Sequence, residues 1–234
     1  MSRDRHIVAS IPAEPTPFAP SDVAGLIGWY DAASSSTLTL NGNEVVGISN
    51  RVEGGAGLFA VAEGGPSYEV ESAVANGLPA LVWPDQDNFK GLWLGGNANL
   101  YDLFVVLAYR NGATNTFSQY TTITTDAAGL TGTTTNRVMG HVGRNHLYGP
   151  SIPLAMEFRV NGSDINQTIL PLPLSVLHIK RPASFPVAAF GSKNNKSPRA
   201  WRGPVCEVLA FAAPVPADEV AEIEMYLMQK WGIV

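Results

Sequence analysis

The 234-residue chain has a single cysteine, Cys206, so it forms no internal disulfide and offers no second thiolate to a metal. Cys206 stands between apolar neighbours in a strand-like run, the setting of a buried, unreactive thiol. Charge is scarce: charged residues make up 15% of the chain and the net charge is −5. A nucleic-acid binder needs a basic face for phosphates, so nucleic acid is not an expected partner. No apolar run approaches the about 20 residues of a bilayer-spanning helix, and no membrane partner is expected. The short run Ile7–Ile11 is cut by Pro12, too soon for the apolar core of a secretory leader, which points to synthesis in a cytoplasm. Catalytic patterns are missing too. There is no Gly-x-Ser-x-Gly elbow, and the four histidines (His6, His141, His146, His178) include no pair at helical zinc spacing.

Glycine (23) and proline (17) are plentiful, and 45% of residues are hydrophobic, the composition of many short strands around a core. Strands are expected at Leu26–Tyr30, at Ala80–Trp83, at Gly91–Leu94, and at Leu103–Tyr109, whose continuous apolar run marks a central strand. Thr37–Leu40 and Glu44–Val46 read as a hairpin turning at Asn41-Gly42. Residues 51–67 lack periodicity and read as a long loop. Val138–Val142 and His146–Tyr148 flank a turn at 143–145. In Leu154–Val160, Leu154, Met156, Phe158 and Val160 alternate inward while Glu157 and Arg159 face out. Asn161-Gly162 reads as another turn, followed by strands at 175–180, 187–190 and 205–211. A helix then follows Pro216. Val220, Ile223, Leu227 and Trp231 form its apolar stripe, Asp218, Glu219 and Glu222 crowd its start, Lys230 its end, and Gly232 closes it. Pro12, Pro15, Pro17 and Pro20 make residues 1–21 an extended arm, leaving 22–234 as one domain.

Few residues suggest chemistry. Glu69-Val-Glu71 is the nearest approach to alternating carboxylates on one strand face, and it reads as a solvated pair. Asp85 and Asp87, with Asn88, gather oxygens in one turn, but calcium wants six or more, so they are weak metal candidates and no cofactor is expected. His141 and His146 flank one turn and face each other across a hairpin. Trp93, Tyr148 and Trp201, with Trp83, are candidate ring faces for a sugar, although tryptophans in a sandwich of this size belong mostly to core and rim.

Three stretches resemble a known family. Trp201-Arg-Gly-Pro-Val-Cys-Glu-Val-Leu-Ala-Phe211, with Asp218-Glu219 and Met225-Tyr-Leu-Met-Gln-Lys-Trp-Gly232, looks like the end of a laminin-G-like, concanavalin A-like jelly roll of the kind found in bacteriophage virion proteins. Ala24-Gly-Leu-Ile-Gly-Trp-Tyr-Asp-Ala32, with Ser36–Gly42, is similar to its opening, and Asn76-Gly-Leu-Pro-Ala-Leu-Val82 resembles its next marker. Pro216 departs from the family, which often opens its helix with Ser or Thr. The resemblance implies an all-β, two-sheet antiparallel sandwich with one C-terminal helix. It also implies a non-enzymatic virion protein, with a capsid decoration or head-fibre role ahead of a tail or baseplate adhesion module. Synthesis in a cytoplasm suits such a particle component, which is released by assembly and lysis. The partners would be a major capsid protein or other virion proteins, bound through Ile7, Val8, Ile11 and Phe18 of the arm, and further copies of the chain. A lectin-like domain for host-surface glycan is the alternative. A glycoside hydrolase ranks lower, because the Glu-x-Asp-x-Glu pattern of the cleaving relatives does not occur here.

Overall fold

A computed structural model describes residues 18–131, 136–148, 156–192 and 198–234. In chain order the elements are β1 (Leu26–Asp31), β2 (Leu38–Asn41), β3 (Glu44–Ile48), β4 (Leu58–Ala60), β5 (Ser67–Glu69), β6 (Ala80–Trp83) and β7 (Leu92–Leu107). Next come β8 (Thr121–Thr125), a one-turn α1 (Ala127–Leu130), β9 (Arg137–Gly140), β10 (Leu147–Tyr148), β11 (Glu157–Val160) and β12 (Ser163–Ile165). The chain closes with β13 (Ser175–Phe190), β14 (Gly203–Phe211) and α2 (Ala217–Trp231). The described chain is thus all-β with one long helix, at its C-terminal end.

β7 explains the layering. Over Leu103–Leu107 its side chains alternate, and both faces are buried. Leu103, Val105 and Leu107 enter a large core with Trp83, Tyr109, Phe190 and Trp201. Phe104 and Val106 enter a second core with Trp29, Leu209, Phe211 and the helix. A strand apolar at every position is what such two-sided burial requires. β7 pairs antiparallel with β13 along most of both strands, with register shifts near Lys180/Phe185 and Val187/Ala189. Such irregularities bend strands, and the sheet wraps around the large core.

β14 lies antiparallel to β1, with Trp29 opposite Leu209, and also borders β6 and β7. The expected juxtaposition of first and last strands is present. α2 covers the second core: Val220 is 6% exposed, and Ile223, Leu227 and Trp231 are fully buried. Each such side chain contributes about 1.5–3 kcal/mol by leaving water. Pro216 opens the helix with no side-chain cap, and Gly232 ends it at φ +61° with its N–H turned back to the carbonyls of Met228 and Gln229.

Three sequence expectations need correction. The stretch 51–67 contains β4, which pairs with β3 and β7; three residues are too few to reveal a period. The first hairpin turns on Gly42-Asn43, because Asn41 is already paired with Glu44; Gly42 supplies the positive φ of +59°. Residues 91–94 and 103–109 lie on or just beyond one long strand, and 175–180 and 187–190 on another. The last residues of the expected arm, 18–21, lie against the domain. A turn of 3-10 helix runs through Pro20–Asp22 with Pro20 buried, and Phe18 meets Tyr226 of α2 edge-on at 6.0 Å. The folded body therefore includes residue 18. The Asn161-Gly162 turn is as expected, both residues having positive φ between the paired Val160 and Ser163.

Candidate functional site

Two buried polar clusters fasten α2 to the sheet. In the first, Glu207 of β14 is 1% exposed. It accepts hydrogen bonds from the indole N–H groups of Trp29 and Trp231, each at 2.7 Å, and from Lys230 Nζ at 2.7 Å. Lys230 also reaches Asp31 at 2.8 Å, and Asp31 holds Arg51 at 2.5 Å. The Arg51 guanidinium lies 3.8 Å above the Trp29 ring. Burial, and then Asp31, pushes the Glu207 carboxyl above its ordinary range, while Lys230 and Trp231 pull the other way. Burial works to lower the Lys230 ammonium, but Glu207 and Asp31 outweigh it and its pKa is raised.

In the second cluster, Asp102 of β7 accepts from His178 Nε2 at 2.7 Å and from the Val215 N–H at 3.0 Å. The His178 ring stacks on Phe104 at 4.1 Å, with its Nδ1 3.9 Å from Glu224 of α2. Arg159 of β11 grips Glu224 through Nε and Nη2 at 2.9 and 3.1 Å. A carboxylate–imidazole pair can serve as a general base when the imidazole reaches a substrate. His178 is 1% exposed and sandwiched, so the pair instead ties β7, β13 and α2 together.

A cluster of aromatic side chains that are not buried lies at the ends of β8, β9 and β10. His141 is the hub. Its ring sits 5.0 Å from Tyr120, 5.6 Å from His146 and 5.0 Å from Tyr148, and Tyr120 and Tyr148 are 6.0 Å apart. The Arg199 guanidinium lies 4.7 Å over the Tyr120 ring. None of the four rings is buried, and Tyr148 is 38% exposed. Their backbone is firmly held. The turn between β9 and β10 closes through His141 N–H to His146 O at 3.1 Å. Phe117 exchanges backbone hydrogen bonds with Gly143 and Arg144, and Thr122 N–H donates to Arg199 O at 2.8 Å. Gly140 has no side chain because the Phe117 ring occupies the space a Cβ would need.

Register sets which residues point to the same side as the rings, where Thr122, Thr125 and Met139 are nonetheless fully buried. Thr122 pairs with Met139, Thr125 with Arg137 and Tyr148 with Met139, with a bulge between Thr122 and Thr124. The bulge keeps Thr122 and Thr125 on the side of Arg137, Met139 and Tyr148, while Ile123, Val138 and Leu147 enter the large core. Burial, and then the neighbouring Arg199, pushes the Arg137 guanidinium below its ordinary value, with Tyr148 and Asp126 opposing.

The residues singled out from sequence fall in separate places. Tyr148 belongs to the aromatic surface, and His141 and His146 do meet across their hairpin. Trp93 is 40% exposed and lines a different hollow of about 250 Å³, with Val61, Leu130 and Ser192. Trp201 is 1% exposed and Trp83 1%; both rings are inside the large core, Trp201 edge-on to Tyr109, so neither offers a face to a sugar. Asp85 pairs with Arg110 at 2.5 Å and Asp87 with Arg202, so the two weak calcium candidates each face a guanidinium. Phe18 packs on its own helix. Ile7, Val8 and Ile11 lie outside the described residues, as does Leu154. Sequence reading missed Tyr120, Arg137 and Arg199. One signal was available: Arg137, Met139 and His141 alternate, which places them on one strand face.

No protein-family profile matches this chain, and no curated protein does. Among solved structures it is similar to domain 4 of AbnA, a GH43 extracellular arabinanase from Geobacillus stearothermophilus, solved in complex with arabinotriose. The identity is 14%, the TM-score 0.45, and the match covers 86% of this chain and 99% of that one. A likeness at this level assigns neither a ligand nor an activity.

Proposed function

We propose that this chain is a non-catalytic display or attachment domain of a bacteriophage particle, folded as a concanavalin A-like jelly-roll sandwich. A capsid decoration or head-fibre role is favoured over a tail or baseplate module. One observation carries the reading. The separate stretches that resemble the virion family converge on one buried knot. Trp29 and Asp31 come from the opening stretch, Glu207 from the penultimate one, and Lys230 and Trp231 from the last. Asn76, from the remaining marker, donates to the carbonyls of Trp231 and Gly232 at 2.9 and 3.2 Å. The resemblance therefore falls on groups that hold the scaffold together, which suits a protein whose work is to present a surface. The buried carboxylates Asp31, Asp102, Asp126, Glu207 and Glu224 among the described residues all have partners within the protein, in keeping with a non-catalytic role.

The test is attachment to purified particles. Removing residues 1–17 leaves the packed Phe18 and Pro20 in place. The truncated protein is expected to melt at the temperature of the full chain and to lose co-sedimentation with particles. Undiminished co-sedimentation would refute the arm's role, and absence of the full-length protein from particles by mass spectrometry would refute the virion assignment.

A further inference from the structure

We propose that the surface formed by Tyr120, His141, His146 and Tyr148, with Arg137 and Arg199, is a binding site for a carboxylate-bearing sugar. The proposal does not depend on where the protein resides. Four rings clustered at 5.0–6.0 Å centroid separations present apolar faces with polar edges, the surface on which a pyranose ring stacks. Tyr148, the most exposed of them, is the stacking face.

The arginines give the site its sign. Arg51, Arg110, Arg159 and Arg202 each pair with a carboxylate. Among the described residues Arg137 and Arg199 do not, although each lies in the electrostatic field of the other. Arg137 Nε is enclosed and has no hydrogen-bond partner there. Asp126, the nearby acid, has its oxygens turned to the N–H groups of Gly129 and Asn136. Outside the described residues, segments 132–135, 149–155 and 193–197 contain no Asp or Glu, the last contains Lys193 and Lys196, and segment 1–17 contains Asp4 and Glu14. Arg144, exposed on the turn between the two histidines, adds a further positive charge. An acidic protein that places guanidinium groups with no carboxylate partner among the described residues beside aromatic rings suits a ligand with the opposite charge. A planar carboxylate accepts two parallel hydrogen bonds from one guanidinium. The cluster is compact, the chain's net charge is negative and no basic track leads away from the rings among the described residues. Those features favour a sugar over a nucleic-acid strand, which needs a groove that follows its backbone.

Calorimetry with the full-length protein provides the test. The probes are 3′-sialyllactose and trigalacturonate, lactose and galactotriose as neutral counterparts, and a ten-residue oligothymidylate. Saturable binding of either acidic sugar, about ten-fold or more tighter than its neutral counterpart, is expected, the difference one charge-assisted hydrogen bond supplies. Which of the two binds separates a sialic acid from a uronic acid. Arg199→Gln and Arg137→Gln are each expected to erase the preference for the acid. Tyr148→Ala, an exposed change that should leave the melting temperature unaltered, weakens acidic and neutral sugars alike. The proposal is overturned if neither acidic sugar binds, if neutral counterparts bind as tightly, if the oligothymidylate binds best, or if Tyr148→Ala has no effect on binding.

Discussion

At the scale of single residues, the decisive interactions join positions far apart in sequence. Glu207 stands in an apolar strand, and nothing beside it explains a buried carboxylate. Its donors are Trp29, Lys230 and Trp231, and the first is 178 positions away. This is why the sequence identified β14 as an inner strand and left its acid without a role. Glu224 had a visible clue: it extends the stripe of Val220, Ile223 and Leu227, and an acid on the buried side of a helix demands a partner, here Arg159. Lys230→Met would leave Glu207 and Asp31 buried without their shared ammonium. The expected loss is about 3–5 kcal/mol of stability, read from urea titration. Adding Glu207→Gln should recover part of it, because the two changes act on one interaction. A loss under about 1 kcal/mol, the level of an exposed ion pair, would mean that the cluster does not fasten the helix.

At the scale of elements, long periodic segments were legible and short ones were not. The stripe of α2, its closing glycine and the alternation of β11 follow from repeats of 3.6 and 2. β4 has too few residues for either period, and it is recognisable only through its neighbours β3 and β7. The unity of β7 was hidden by Gly95-Gly96-Asn97, where Gly95 takes a positive φ of +84° and the pairing to β13 is interrupted, yet the strand resumes beyond it. α2 owes its place to packing rather than to a cap, since Pro216 supplies none. Leu227→Ala should therefore cost about 2–5 kcal/mol, measured by chemical denaturation. The exposed Met225, on the opposite face, should tolerate alanine with a change within about 0.5 kcal/mol.

For the whole molecule, the buried groups predict how stability responds to alkali. Burial pushes the pKa values of Cys206, Tyr30 and Tyr226 above their ordinary 9.0, 10.0 and 10.0. In Lys230 the two carboxylates overcome burial and raise it above 10.5. The unfolded chain releases these protons first, so the folded state binds more of them through that window. Stability then falls as pH rises, and it is fully present below the unfolded values. Melting temperatures should be level near neutrality and decline above about pH 9. Cys206→Ala should soften the first part of that decline. A melting temperature independent of pH up to about 11 would contradict the burial of these groups.

β1 sits at the end of the sheet's strand order and, among the described residues, pairs with β14 alone. A ribosome adding about 5–20 residues per second needs on the order of ten seconds or more to travel from Trp29 to Glu207. Throughout that interval the nascent polypeptide carries an unmated strand and a bare indole. Chains released early, before β14 emerges, would keep that sticky margin permanently, and they are the species a chaperone must shield or a protease must clear.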